Sequence, residues 1–174
     1  NPLGRTSLVK TVFSMDHHII WMQAALKEAE KAFEKDEVPV GAVIVQGDRL
    51  VGKGHNQIET LQDPTAHAEM IALTAAANTL QSRRLENCMI YVTLEPCAMC
   101  AGALLLARIK TLIFAADDPK AGACGSLRNI VQDHRLNHQV EIVSGILQEK
   151  STLMLKTFFE NMRKTKRNQR LNLN

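Results

Sequence analysis

Apolar residues return at helical spacing through Ile19, Ile20, Trp21, Ala24, Leu26, Ala29 and Phe33, while Lys27, Glu28, Lys31 and Glu34 take the opposite side. This predicts an amphipathic helix that Asp16 caps and that ends near Lys35. The pattern then changes. Val38 to Val45 is almost unbroken apolar, Gly47-Asp48 interrupts it, and a second run follows from Arg49 to Gly54, the signature of a hairpin. Asp63-Pro64 reads as a cap followed by proline at the first helical position, opening a helix to about Leu80. A strand over Cys88–Thr93, a helix from Pro96 to about Arg108, and strands over Ile109–Ala115 and Gln139–Val143 come next. A last helix starts near Leu147 and is apolar at Leu153, Leu155, Phe158 and Phe159. The connection from Ala116 to His138 is long enough to hide a short helix.

The order α-β-β-α-β-α-β-β-α predicts an α/β fold of three layers, α/β/α, around a mixed five-stranded sheet. Strand–helix–strand crossovers favour parallel pairing, and the hairpin forces an antiparallel pair at one side. A chain of 174 residues, 45% hydrophobic and 22% charged, suits one globular domain. We place that domain at residues 15–163. Residues 1–14 precede the first methionine and read as a natural extension or a remnant of cloning. The apolar run Ala101–Ala107 is far too short to span a bilayer, and no secretory pattern is visible.

The net charge of +3 has a location. From Asn161 onward there are five cations and no acid, and the rest of the chain holds 16 basic against 18 acidic residues. Residues 164–174 therefore form a basic C-terminal tail. It is either a solvated terminus or an electrostatic handle for nucleic-acid phosphates.

Two short segments carry the chemistry: Thr65-Ala66-His67-Ala68-Glu69 and Glu95-Pro96-Cys97-Ala98-Met99-Cys100. His67, Cys97 and Cys100 supply three ligands suited to zinc, which leaves one tetrahedral position open for water, as in catalytic sites. Glu69 is then the nearby group able to move that water's proton. On a regular helix His67 and Glu69 lie about 200° apart, so both reach one point only if it lies off the helix end. Two helix starts would aim partial positive charge at the cluster. A structural zinc site would need a fourth ligand from Cys88, Cys124 or another histidine. We read Cys88 and Cys124 as small core or loop residues. Without export signals, a Cys-x-x-Cys pair points to metal binding and a cytoplasmic location.

His67-Ala68-Glu69 with Pro96-Cys97-x-x-Cys100 resembles the zinc-dependent nucleoside and nucleobase deaminases, most closely their bacterial members acting on adenosine in tRNA. The similar stretches include Glu37–Val43, Gly54-His55-Asn56, Asp63–Glu69, Tyr91–Cys97, Cys100–Ala103 and Gly122–Leu127. The resemblance implies a cytidine-deaminase-like fold and one zinc per chain on His67, Cys97 and Cys100. It also implies Glu69 as catalytic proton shuttle, and hydrolysis of adenosine to inosine in a tRNA anticodon loop, at the wobble position, by a homodimer. It makes Asn56 a base-reading residue and sets Asp118 and Lys120 near the flanking ribose and phosphate. Phe158 and Phe159 invite base stacking, but they lie about 100° apart on a helix, so one is expected in the core and one at the RNA edge. Glu160 and Met162 depart from the family's more basic pattern here, with Arg163 and its basic neighbours compensating. The alternatives are a deaminase of a free base or nucleoside (guanine, cytosine or a pyrimidine nucleotide), and a non-enzymatic RNA-binding subunit with a structural zinc.

Overall fold

The computed structural model describes residues 13–173; the reading of residues 1–14 therefore falls outside it except at Phe13 and Ser14. Five strands form one sheet in the order β2-β1-β3-β4-β5. They are β1 (Gly41–Gln46), β2 (Arg49–His55), β3 (Cys88–Leu94), β4 (Thr111–Ala116) and β5 (Glu141–Ser144). β1 is antiparallel to both neighbours, whereas β3, β4 and β5 run parallel. The sheet is mixed, as the element order predicted.

Alternation along β3 assigns its faces. Cys88, Ile90 and Val92 pack into the core beneath α3 (Ala68–Leu80) and α4 (Ala98–Leu106). Met89 and Tyr91 face α1 (Met15–Glu34) through Met22 and Ala25. α5 (Gln148–Leu171) lies on that same face, where Phe158 meets Phe33 at 5.9 Å and Ser151 donates to the Thr93 carbonyl. Glycine lets α3 settle close to the sheet: a Cβ at Gly54 would stand 2.6 Å from the Ala68 carbonyl, and one at Gly52 only 2.7 Å from the Ala76 nitrogen. The helix that carries Glu69 is thereby seated directly on β2.

Several boundaries differ from the sequence reading. Ser14, not Asp16, caps α1: it is extended, and its hydroxyl accepts from the His17 N–H. Asp16 lies inside the first turn, where its charge complements the helix dipole. α3 starts at Ala68, four residues after Pro64, because the Asp63 carboxylate takes the Thr65 N–H at 2.8 Å and its hydroxyl at 2.7 Å and closes a turn there. α4 starts at Ala98 because Cys97 is extended and bridges Gly122. A short helix that the periodicity did not signal, α2 (Ile58–Leu61), precedes α3. The connection from 117 to 140 holds no helix; it is a run of turns pinned by that bridge and by a second, Cys124 to Asn129. Leu153 is 65% exposed and is not core.

Candidate active site

His67 and Cys97 occupy equivalent places, each the extended residue immediately before a helix (φ −72°, ψ 152° and φ −73°, ψ 175°). An N-cap side chain ordinarily accepts from its own helix. Neither of these does, and both turn toward one another instead. The His67 Nδ1 lies 3.6 Å from Cys97 Sγ and 3.5 Å from Cys100 Sγ. One ligand atom from each of the three falls within 4.8 Å of the others. Among the described residues this is the one such group of three metal-type side chains. All four cysteines are free thiols; Cys88 and Cys124 are buried and stand outside the cluster.

The ends of both helices and the parallel strands β3 and β4 meet here, the usual ligand edge of an α/β sheet. The electrostatics follow from what touches what. The Cys100 thiol and the His67 ring donate to Cys97 and hold its thiol down to about 3. The same contact raises His67. Cys100 is pushed up by donating to Cys97 and by burial. Burial lifts the Glu69 carboxyl to about 7, against the opposing pull of its own backbone amide and of His67.

A cavity of about 190 Å³ opens onto this cluster. His67, Glu69 and Cys97 line it at the cluster, and Val38, Val40, Ile58 and Leu94 give it apolar walls. Asn56, Ala68, Glu95, Asp118 and Ala121 complete the lining. Asn56 is buried, its amide donating to the Val38 carbonyl at 3.2 Å and accepting from the Ile58 N–H at 3.4 Å. Its second N–H and second lone pair are uncommitted by those contacts. Asp118 spends one carboxylate oxygen on the Lys120 and Ala121 N–H groups.

The remaining candidates lie elsewhere. Lys120 is exposed and does not line the cavity. Phe158 packs into the core against Phe33, which leaves no face for a base; Phe159 is 44% exposed, and Arg163 is exposed. The sequence reading missed three buried carboxylates: Glu28, which it set on the polar side of α1 but which is buried against Lys31 and His55, and two at the cavity. Glu37 accepts the Glu59 and Thr60 N–H groups at 2.9 and 3.0 Å, and so fixes α2 behind Asn56. Glu95 accepts from the segment that carries Asp118. The available signal was an acid beside an apolar run, Glu37 before Val38 and Glu95 after Leu94.

Comparison with known proteins agrees with this geometry. Residues 15–163 match the family model of the MafB19-like deaminases. The chain is 49% identical over 154 residues to the tRNA-specific adenosine deaminase of Bacillus subtilis, covering 88% of this chain and 96% of that protein. It is also 49% identical to the tRNA-specific adenosine deaminase of Aquifex aeolicus, over 82% and 94%. A solved structure from a study of A-to-I editing by tRNA:A34 deaminases at the wobble position superposes with a TM-score of 0.76 at 40% identity. That match covers 78% of this chain and 99% of that one.

Proposed function

The chain belongs to the tRNA-specific adenosine deaminases, and on that premise we propose that it hydrolyses adenosine to inosine at the wobble position of a tRNA anticodon loop, using one zinc ion. The observation that carries the zinc is a distance. A tetrahedral zinc with Zn–S near 2.3 Å and Zn–N near 2.0–2.1 Å requires N···S edges of about 3.6 Å. His67 stands 3.6 and 3.5 Å from the two sulfurs, and the set of one imidazole and two thiols suits that ion. His67, Cys97 and Cys100 would hold it. When bound, zinc supplies Lewis-acid activation of a water, lowering its pKa toward neutrality.

Glu69 does the proton work. It is buried at the cavity wall beside the cluster and is not one of the three donors. It takes a proton from the attacking water and delivers it to adenine N1, beside the C6 that is attacked. It then takes the remaining proton from the hydroxyl now on C6 and gives it to the departing amine, so water and adenosine give inosine and ammonia. Its carboxyl, raised to about 7 by burial, can both accept and return a proton near neutral pH. The Asn56 amide reads the base edge, and Asp118 meets the flanking nucleotide. The cavity is small, with room for one extruded base.

Lys120, Phe159 and Arg163, all exposed, meet the surrounding RNA. Two copies pair through α3 and α4. Leu61, Met70 and Ile71 line an open groove along α3, and Leu106 on α4 is 77% exposed. No helix among the described residues is long and apolar enough to cross a membrane. Acting on tRNA, the enzyme would work in the cytoplasm.

The test is mass analysis of tRNA, free adenosine, guanine and cytidine incubated separately with zinc-loaded protein. Inosine in tRNA is the expected product. Turnover of a free base with none in tRNA would overturn the substrate.

A further inference from the structure

Glu95 is 2% exposed, and four donors converge on its two oxygens. Oε1 accepts from the Asp118 N–H at 3.2 Å and from the Ser126 hydroxyl, while Oε2 accepts from the Cys124 and Ser126 N–H groups, each at 3.1 Å. All four donors are neutral, and all belong to residues 118–126. The segment therefore folds around one carboxylate. Gly122 fits the same arrangement, since a Cβ there would run into the Glu95 carboxylate. Beside it, Ala123 donates to the Pro96 carbonyl at 2.9 Å, and Gly122 bridges Cys97. Asp118 and Ala121, which the segment carries, line the base cavity.

We infer that Glu95 is the positioning residue for one wall of the cavity, its carboxylate serving as the template on which residues 118–126 fold and so setting which base the cavity accepts. The inference rests on the deaminase reading above. The physical reason is that a carboxylate offers only acceptors, and the four groups the segment turns toward it are all donors. Charge-assisted bonds of this type are shorter and about twice as strong as neutral ones. No other side chain satisfies all four. A glutamine in the same volume keeps one accepting oxygen and turns its NH₂ toward two donors, so at least one backbone N–H loses its partner. The wall carrying Asp118, Lys120 and Ala121 then loosens, while His67, Glu69, Cys100 and the basic face of α5, which lie outside the segment, stay where they are.

The experiment compares zinc-loaded wild-type protein with Glu95→Gln and, as a milder variant that keeps the carboxylate, Ser126→Ala. Three quantities are measured: zinc content and tRNA affinity; hydrogen exchange of the Asp118, Cys124 and Ser126 amides; and the ratio of turnover on adenosine to turnover on cytidine at one RNA position. For Glu95→Gln we expect zinc content within about twofold of wild type, tRNA affinity lowered only by the contacts that Asp118 and Lys120 make, and exchange at those amides faster by about tenfold or more. We also expect kcat reduced about tenfold or more, a larger change than in KM for tRNA, and a lower adenosine-to-cytidine ratio. Ser126→Ala should shift the same quantities in the same direction by less. A variant that was only destabilised would lose turnover on both bases equally and keep their ratio. Wild-type exchange at the three amides, or an unchanged base ratio once protection is lost, overturns the proposal. Wild-type protein inert on adenosine in tRNA would overturn the function instead, with the exchange result still deciding whether Glu95 templates the segment.

Discussion

The Nδ1 nitrogen of His67 stands 3.5 Å from the sulfur of Cys100, thirty-three residues further along the chain. That is an ordinary length for a contact between nitrogen and sulfur, and it is also the edge that two ligands sharing one tetrahedral ion require. Because the two residues sit on different helices, the distance also measures how α3 and α4 are docked.

His67→Ala and Cys97→Ala should each lose zinc and activity together, since two remaining protein ligands hold the ion poorly. Cys88→Ala and Cys124→Ala should keep it. Metal analysis of the four purified variants checks this, and stoichiometric zinc in either ligand variant would refute the assignment.

Glu69→Ala should retain zinc while kcat falls by about 10²–10⁴-fold, the usual contribution of a proton-transfer group. Metal content and kinetics on one preparation separate the two roles. Loss of zinc would make Glu69 a ligand.

The buried carboxylate of Glu37 makes stability depend on acid. Burial tends to raise its pKa, but the N–H groups of Thr60 and Glu59, the Thr60 side chain and nearby His55 outweigh burial and lower it below the ordinary value. A group lowered in the folded state stabilises above its unfolded pKa and loses that contribution as pH falls through the folded value. Glu37→Gln should thus be less stable than wild type by about 1.5–3 kcal/mol at pH 7, with the gap closing below about pH 4. Urea unfolding at both pH values tests the sign.

Gly54→Ala should destabilise the fold by about 1–3 kcal/mol, because the new methyl meets the Ala68 carbonyl at 2.6 Å and pushes α3 off β2. Since α3 begins beside His67, zinc affinity should fall with stability. A variant that unfolds earlier yet binds zinc normally would uncouple the two.

α5 continues as exposed helix through Leu171. Arg163, Lys166, Arg167 and Arg170 recur at i, i+3, i+4 and i+7 and so share one face. Deleting residues 164–174 should weaken tRNA binding and make its salt dependence shallower, by about 0.7–0.9 in log–log slope for each phosphate the tail had neutralised. Turnover at saturating tRNA should persist. An unchanged slope would reduce the tail to a solvated terminus.

The fold was largely legible because its signals are local. Alternation and unbroken apolar runs mark the strands, and the hairpin at Gly47 marks an antiparallel pair. Helix starts were less legible. Asp63-Pro64 and Pro96 carry cap chemistry, but the first is consumed by a turn with Thr65 and the second precedes a bridge from Cys97 to Gly122. Both events depend on partners that a propensity cannot see.

By itself, the sequence determined every element but α2, the mixed sheet and the identity of three soft donors with an acid two residues from one of them, because these depend on residue type and short spacing. Only the tertiary structure decided that His67 and Cys97 leave their own helices uncapped to face each other. It also decided that Phe158 goes to the core while Phe159 stays out, and that Glu37 and Glu95 hold opposite parts of the cavity lining. A hydrogen bond from Ser126 to Glu95 crosses thirty-one residues. No local pattern encodes such a bond; it exists because the fold buries that carboxylate and leaves it only the chain's own N–H and hydroxyl groups to bind.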